Sequence, residues 1–455
     1  CGNKPNKKNT TQIFENKPNI VFIAVDDLRP ELGSYGNNII KSPHIDNLSS
    51  EGFVFTNHYV QVPTCGASRY SLMTGLRPKY RSHLSNNVFE PEMANKMESD
   101  RPESFVHQFR RNGYYTVGIG KMSHSADGLI YGYEDAPSTK KEMPYSWDEF
   151  LFNSGKWRTG WNAFFAYANG ENRQSLKRQV KPYEAGEVKD DGYPDGLTAD
   201  LAVGKLKELK KKNQPFFLGV GFFKPHLPFN APTKYWDMYD RADMPLAENP
   251  YISENVNRAS LQASGEFNGY QLTDEKAGLS KSLSDEYSKK LTHAYYASIS
   301  YVDAQIGKVL GEIKALNLEE KYIDISIRNP NNRVTAYQFE MEGIAISSVE
   351  NLLTDVEILP EAIMGGSTVI AVTKELDVEI PKNTIAIPLC RVYFASSEGD
   401  FCISNIVDIV NQDFENTVVK IETSEDCFVE DYGVGLDEDQ FLQSISLYPM
   451  PNLEV

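Results

Sequence analysis

The chain has 455 residues, of which 40% are hydrophobic and 24% are charged. This length exceeds one ordinary hydrophobic core and predicts two or three domains. The composition excludes wholesale disorder and a collagen-like repeat, and no apolar run of about 18 residues indicates a membrane-spanning segment. The formal charge of −17 argues against a nucleic-acid partner, because binding a phosphate backbone depends on clustered Lys and Arg.

Residues 1–17 are polar, lack an initiator Met and begin with Cys1. This pattern resembles the mature end of a bacterial lipoprotein, which implies a lipid anchor on Cys1 and predicts residues 1–17 as a tether. An arbitrary start of the sequence is the alternative.

Apolar runs separated by a helical pattern predict a parallel α/β sheet in residues 18–320. Residues 19–25 form a β-branched run that is typical of a strand buried on both faces, and it ends in Asp26 and Asp27. Ligands of such sheets collect outside the carboxyl ends of the strands, so the paired carboxylates mark a candidate site. A turn or a capped strand end is the ordinary alternative. Further elements are predicted as strands at 115–119 and 215–223 and helices at 103–113 and 285–319.

The pattern changes after the last helix. Between residues 321 and 424, short alternating strands and turn signals succeed one another, which predicts an all-β sandwich. Its strand rhythm resembles the cohesin-like sandwiches of surface proteins. Residues 425–455 are predicted as an acidic linker and tail, and the string SLYPMPN in this tail resembles the start of a Bacteroidetes type IX sorting signal.

The chain's five cysteines form no C-x-x-C pair, so neither a structural zinc site nor a disulfide scaffold is predicted. A disulfide between Cys390 and Cys402 is left open by the sequence.

Residues 63–75 read PTCGASRYSLMTG, residues 120–124 read GKMSH, and residues 224–229 read KPHLPF. The first string resembles the signature of formylglycine-dependent sulfatases, C-x-[PA]-S-R followed by x-x-[LF]-[LM]-T-G. The other two resemble the G-K-x-x-H and K-P-H-x-P-F elements of the same family. Residues 18–320 as a whole resemble its iduronate-2-sulfatase branch, so the expected fold is an alkaline-phosphatase-like α/β sulfatase sheet with flanking helices.

The resemblance implies that a separate maturation enzyme oxidises Cys65 to formylglycine. One hydroxyl of the aldehyde hydrate would attack sulfur, and deprotonation of the other would later expel sulfate. A helix that starts at about Cys65 would place its N–H groups beside an anionic substrate and Arg69 one turn further on, where it would hold the hydrate. Asp26, Asp27 and the residue at position 65 would bind Ca²⁺, because carboxylates are the hard oxygen ligands that this ion prefers. The alternative is a purely structural role for Cys65, as a small buried hydrophobic residue.

Three further residues receive roles from the same resemblance. Lys121 would neutralise the charge of the sulfate, and His124 would bind the hydrate and take the proton that lets sulfate leave. His226 would protonate the departing alkoxide, because the unperturbed pKa of histidine lies near neutrality. Residues that could meet sugar hydroxyls from the following loop are Arg81, His83, Asn86 and Asn87.

The resemblance breaks at the end of the predicted domain. In the family the last helix leads into a strand ending in D-H-G or D-N-G, which supplies two further metal ligands, and a Lys follows some residues later. Here residues 319–330 read EEKYIDISIRNP, and Asp324 is the nearest carboxylate. The sequence therefore predicts a sulfatase domain that is truncated at its C-terminal end, with half of the metal site.

The first functional hypothesis is an exported sulfuric ester hydrolase that removes sulfate from glycans such as glycosaminoglycans, at the periplasm or outer surface of a Bacteroidetes-like bacterium. The alternative is a non-catalytic surface adhesion protein that carries a truncated sulfatase half. A phosphohydrolase of the alkaline-phosphatase-like superfamily would want Ser or Thr at position 65 and more metal ligands.

Overall fold

The computed structural model describes residues 17–450, apart from positions 213, 317, 319–320, 330–332, 354–357, 363–367, 374–379, 382, 411–418 and 422–444. Asn19–Asn317 form one compact unit, and the chain from Leu318 onward belongs to another. The predicted tether, with its candidate lipid site at Cys1, lies outside the described residues except for Lys17. No helix within the described ranges is both long and apolar enough to cross a membrane.

The unit Asn19–Asn317 is built on a four-stranded parallel sheet with strand order β1-β5-β2-β3. A second, two-stranded parallel sheet pairs β4 with β6. The strands are β1 Ile20–Val25, β2 Tyr115–Gly120, β3 Glu149–Leu151, β4 Tyr183–Gly186, β5 Phe216–Phe222 and β6 Phe229–Pro232.

Eight α-helices of this unit connect and flank these strands. They are α1 Pro43–Ser50, α2 Cys65–Thr74, α3 Phe105–Arg111, α4 Gly160–Phe164, α5 Pro194–Lys212, α6 Thr233–Trp236, α7 Gly265–Asn268 and α8 Asp285–Ala315. The helix predicted at 103–113 is shorter because the Ser104 side chain caps it by accepting from the His107 N–H. In α8 the Ser284 hydroxyl caps the start in the same way, and the helix ends four residues before the predicted boundary.

Strand β5 is the centre of the sheet, and all seven of its residues are buried. Phe217 packs against the rings of Phe22, Phe105 and Phe109, which joins β1 and α3 to this strand. In the register of the sheet, Val25 lies opposite Phe222 and Gly120 lies opposite Gly221. The residues that follow these three strands therefore leave the sheet at one edge.

Strand β1 is an edge strand, so the prediction that it is buried on both faces is wrong. Its six residues Ile20–Val25 are only half-buried, and within the described residues it pairs with β5 alone. Ile20, Phe22 and Ala24 pack against the core from one face, but a strand with a neighbour on one side only is less enclosed than an inner strand, so all six residues stay partly exposed.

The second unit contains strands β7 to β13, which form one sheet of order β12-β13-β7-β11-β8-β10-β9. Their bounds are β7 Lys321–Asn329, β8 Ala336–Asn351, β9 Ile358–Ala362, β10 Thr368–Thr373, β11 Asn383–Val410, β12 Val419–Ile421 and β13 Ile445–Met450. The all-β character agrees with the prediction for 321–424, whereas the cohesin-like sandwich stays a prediction.

One expectation for this unit changes. Residues 445–450 form β13, which pairs with β7, so this part of the predicted linker and tail is a strand; its alternating apolar residues explain the pairing. Cys390 is buried in the core of the unit, whereas the side chain of Cys402 lies outside the described residues, so the disulfide between them stays an open question.

Candidate active site

Asp26 and Asp27 directly follow β1 at the carboxyl edge of the sheet. Asp26 is 4% exposed, and its Oδ2 lies 2.5 Å from Lys121 Nζ while its Oδ1 lies 3.3 Å from Arg69 Nη2. Burial alone would raise the pKa of Asp26, but the Lys121 and Arg69 cations outweigh burial and hold this pKa well below its usual range. Asp27 has a left-handed backbone (φ 54°), and Tyr295 of α8 donates a hydrogen bond to its carbonyl oxygen.

Cys65 is the first residue of α2, as the sequence predicts. Its Sγ lies 3.9 Å from Asp27 Oδ1, and the next residue, Gly66, donates its N–H to Asn86 Oδ1 at 2.8 Å. Burial, with Asp26 as the next cause, raises the pKa of the Cys65 thiol to about 12. The residue is therefore a neutral thiol at neutral pH, placed at a helix N-terminus that favours anions.

Arg69 is buried one turn after Cys65 and ties α2 to the sheet. Its Nη1 donates to the backbone carbonyl of Lys121 at 2.5 Å, and its Nη2 reaches Asp26. The sequence predicts that Arg69 holds the group at position 65. The structure adds a second task, because the guanidinium fixes the charge and position of Asp26.

Lys121 and His124 follow β2 and are both buried. The Lys121 ammonium lies 4.0 Å from the centroid of the Phe164 ring, a cation–π contact, in addition to its ion pair with Asp26. Burial, reinforced by the Lys121 charge, lowers the pKa of His124 to about 3. His124 is therefore neutral at neutral pH, and its buried Nδ1 has no hydrogen-bond partner in the described part of the chain.

His226 follows β5 and completes the group. Its Nδ1 lies 2.7 Å from the carbonyl oxygen of Leu227, and since a carbonyl only accepts, Nδ1 is the donor in this bond. Nε2 is then the nitrogen that exchanges protons, 3.6 Å from Asp27 Oδ2 and 3.8 Å from Glu266 Oε2. The structure thus brings all seven predicted site residues to one edge of the sheet.

Asp195 supports this edge and was missed by the sequence analysis. Its two carboxylate oxygens accept the N–H groups of Phe223 and Lys224 at 2.8 Å each, and burial raises its pKa to about 6. Lys224 donates its Nζ to the backbone carbonyls of His226 and Pro228, and burial lowers its pKa to about 8. These bonds fix the segment that presents His226.

The four residues predicted to contact a sugar, Arg81, His83, Asn86 and Asn87, do not form one exposed surface. His83 is buried between the rings of Tyr70 and Tyr80, and Asn86 is engaged with Gly66. Arg81 and Asn87 are exposed.

The carboxylates of Asp26 and Asp27 fit Ca²⁺ in kind. One ligand atom each from Asp26, Cys65 and His226 lie within 4.8 Å of one another, and among the described residues this is the group that could hold a metal. The two carboxylates would supply fewer than the about six to eight oxygens that Ca²⁺ prefers, so water would have to complete the shell of a bound ion. Asp324 lies on β7 of the other unit, and its side chain is outside the described part of the chain.

Residues 18–323 match the family model described as Sulfatase, which covers more than half of the chain. The chain therefore belongs to the sulfatase family, and its first unit has the alkaline-phosphatase-like fold expected from the sequence. Iduronate 2-sulfatase of Mus musculus is 28% identical over 312 residues, which are 67% of this chain and 53% of that protein. The Homo sapiens enzyme is 27% identical over 310 residues, again 67% and 53%.

A sulfatase of Formosa agariphila is 28% identical over 339 residues, which are 68% of this chain and 58% of that protein. The chain thus spans about half the length of the curated relatives it matches. Among solved structures, a phosphonate monoester hydrolase of Agrobacterium radiobacter superposes with a TM-score of 0.45 and 20% identity, covering 66% of this chain and 60% of the other.

Proposed function

We propose that the unit Asn19–Asn317 hydrolyses sulfate esters of glycans, with residue 65 acting as formylglycine. The observation that carries this proposal is the convergence of Cys65 with two carboxylates, two cations and two imidazoles at one edge of the sheet. Lys121 and Arg69 offer positive charge for a sulfate group, and the start of α2 adds N–H groups.

The residues of this site have separate roles in the loss of the alcohol and in the release of sulfate. One hydroxyl of the hydrated aldehyde at position 65 attacks sulfur, and its proton passes by way of the Asp27 carboxylate to His226 Nε2. The bond from sulfur to the alcohol oxygen breaks, and that oxygen takes the same proton from His226 Nε2. His124, which is neutral, then accepts the proton of the second hydroxyl. The aldehyde re-forms as the bond from its carbon to the sulfate oxygen breaks, and water restores the hydrate. Asp26 and Asp27 would hold Ca²⁺, which when bound polarises the sulfate and the attacking oxygen.

The names of the relatives share the sulfatase activity, but they refer to different alcohols that carry the sulfate ester. They include iduronate 2-sulfatase, a choline-sulfatase of Rhizobium meliloti and an ulvan-active sulfatase of Formosa agariphila. Two of these three names refer to carbohydrates. This supports a sulfated oligosaccharide or polysaccharide as the substrate class, with the individual sugar to be found by assay.

The test combines intact mass with calcium-dependent turnover, on the full chain produced together with a formylglycine-generating enzyme. We expect a mass loss that maps to the peptide containing Cys65, while the peptide containing Cys390 is unchanged and serves as the internal control. We expect sulfate release from sulfated oligosaccharides that needs Ca²⁺ and falls by at least about 10³-fold in Cys65→Ala.

The outcome that contradicts the proposal is a chain with neither formylglycine nor calcium-dependent turnover. The small number of carboxylates that the described residues offer to a metal, Asp26 and Asp27, then favours the second candidate, a non-catalytic surface protein. That candidate predicts carbohydrate binding which survives Cys65→Ala.

A further inference from the structure

A carboxylate outside the predicted site lies beside the proton-exchanging nitrogen of His226. Glu266 is on the short helix α7, and 45% of its side chain is exposed. One of its oxygens lies 3.8 Å from His226 Nε2, and the other lies 3.2 Å from Arg173 Nη1. Glu266 therefore faces the position at which the alcohol of the ester would leave.

Arg173 binds the Glu266 oxygen that does not face His226. It is 6% exposed, and its guanidinium carbon lies 3.4 Å from the centroid of the Phe165 ring and 5.4 Å from that of Tyr270. Its buried Nε has no hydrogen-bond partner among the described residues. A guanidinium clamped between two rings has little freedom, so it fixes one oxygen of Glu266 and leaves the other available to a ligand.

An exposed aromatic ring stands in the same neighbourhood. Tyr133 is 42% exposed, and its ring packs edge to face on Trp161 at 4.7 Å and on Phe165 at 5.6 Å. Phe165 connects this ring to Arg173, because the same Phe165 ring contacts the Arg173 guanidinium that holds Glu266. A rigid aromatic surface beside a fixed hydrogen-bond acceptor suits a sugar ring with its hydroxyl groups.

We propose that Tyr133, Glu266 and Arg173 form the subsite for the sugar that carries the sulfate ester. The sugar ring lies against Tyr133, and the hydroxyl next to the ester donates to Glu266. An ionised carboxylate only accepts hydrogen bonds, so a second sulfate or a carboxylate at that place is disfavoured. This assignment rests on the proposed function for the location of the ester, and it adds a preference for a neutral hydroxyl beside it.

The test measures binding, so that it does not depend on turnover. The probes are a monosulfated disaccharide whose hydroxyl next to the ester is free and the same disaccharide with that hydroxyl sulfated. Calorimetry on the full chain with Cys65→Ala is expected to show that the monosulfated probe binds about tenfold more tightly, as for a hydrogen bond to a charged group.

Variants in the same background identify the residues responsible. Glu266→Gln is expected to bring the two affinities within about threefold, because it removes the charge and keeps the shape. Tyr133→Ala is expected to weaken both probes about tenfold, whereas Tyr133→Phe retains binding because the ring is kept. Glu248→Gln, an exposed acid at a distance along the chain, is the matched control and leaves both affinities unchanged.

Equal affinities for the two probes, absence of binding, or a preference that survives Glu266→Gln would each overturn the subsite. Turnover of an aryl sulfate that lacks a sugar reports on the proposed function separately, with Cys65 restored. A chain that discriminates the probes but releases no sulfate contradicts the function and keeps the subsite. If Glu266→Gln lowers aryl sulfate turnover as strongly as it lowers saccharide discrimination, Glu266 acts on His226 instead, and the subsite is wrong.

Discussion

Cys65 shows at the residue scale that an unmodified thiol at this position would be a poor nucleophile. Its environment serves a bound anion through Lys121 and Arg69, but the buried thiol stays protonated at neutral pH. An aldehyde hydrate at the same position offers oxygen nucleophiles that the neighbouring imidazoles can deprotonate. The local charges therefore agree with the maturation that the sequence signature implies.

His124 makes the first unit sensitive to acid. Its pKa in the folded chain is about 3, against 6.5 in the absence of structure, so the unfolded chain binds a proton that the folded chain does not. This contribution to stability is present above pH 6.5 and is lost as the pH falls toward 3. The titratable groups that face His124 are Lys121, Arg69, His226 and Asp26. The lowered pKa of Asp26 adds a loss of stability of the same sign at lower pH.

We expect the free energy of unfolding to drop by about 2 kcal/mol between pH 7 and pH 5 on account of this one histidine. Urea unfolding of His124→Gln at both pH values should lack that part of the drop, and the exposed His58→Gln should keep it. An equal drop in wild type and His124→Gln would show that the imidazole is not held neutral.

The close approach of β2 and β5 positions Lys121 at the element scale. A Cβ on Gly221 would lie 2.1 Å from the backbone oxygen of Lys121, and one on Gly120, whose φ is 70°, would lie 2.3 Å from the oxygen of Gly221. The two strand ends touch because neither residue has a side chain.

Gly221→Ala must separate these strand ends. We expect it to destabilise the first unit by about 1–3 kcal/mol and to lower sulfate release further, since Lys121 moves away from Asp26. Gly311→Ala is the control, because a Cβ there meets nothing within 4 Å and a helix interior gains stability from alanine. Thermal unfolding and turnover of both variants check the expectation; unchanged values in Gly221→Ala would contradict it.

The sequence predicted the positions of those site residues that belong to short motifs. The start of α2 at Cys65 and the residues after β1, β2 and β5 follow from the strings that contain them, and their convergence follows from a parallel sheet. Asp195 and Glu266 could not be found in this way. Each acts on residues about 30 to 40 positions away in the chain, and Asp195 sits in an ordinary helical first turn.

The edge position of β1 was missed for a related reason. An apolar run reports that a strand can be buried, whereas the number of its neighbours depends on the rest of the sheet. In the second unit, the alternating pattern predicted strands correctly, but the pairing of β13 with β7 joins residues more than 100 positions apart, which no local pattern indicates.

Calcium bound at the proposed site would add to the free energy of unfolding of the first unit. A site with two carboxylates is expected to bind weakly, with a dissociation constant of about 1 mM, so that about 10 mM Ca²⁺ stabilises the folded chain by about 1.4 kcal/mol. The shift should appear in the unfolding of the first unit, as followed by urea titration with and without the ion.

Asp27→Asn is expected to abolish this calcium effect, while Asp191→Asn, an exposed acid of the same unit, keeps it. Persistence of the effect in Asp27→Asn would place the ion elsewhere. Because the measurement is of unfolding, it is independent of whether Cys65 has been matured.

The edge position of β1 in the described sheet affects how often the site opens. Within the described chain only its β5 side is hydrogen-bonded, so β1 can detach in a local opening that costs less than global unfolding. Amide exchange should show this directly, with β1 protected at least about 100-fold less than the central β5. Asp26 and Asp27 leave with the strand, so each opening separates them from Lys121, Arg69 and His226 while the rest of the unit stays folded. The fraction of time for which Asp26 and Asp27 lie beside the other site residues then depends on how often β1 detaches from β5.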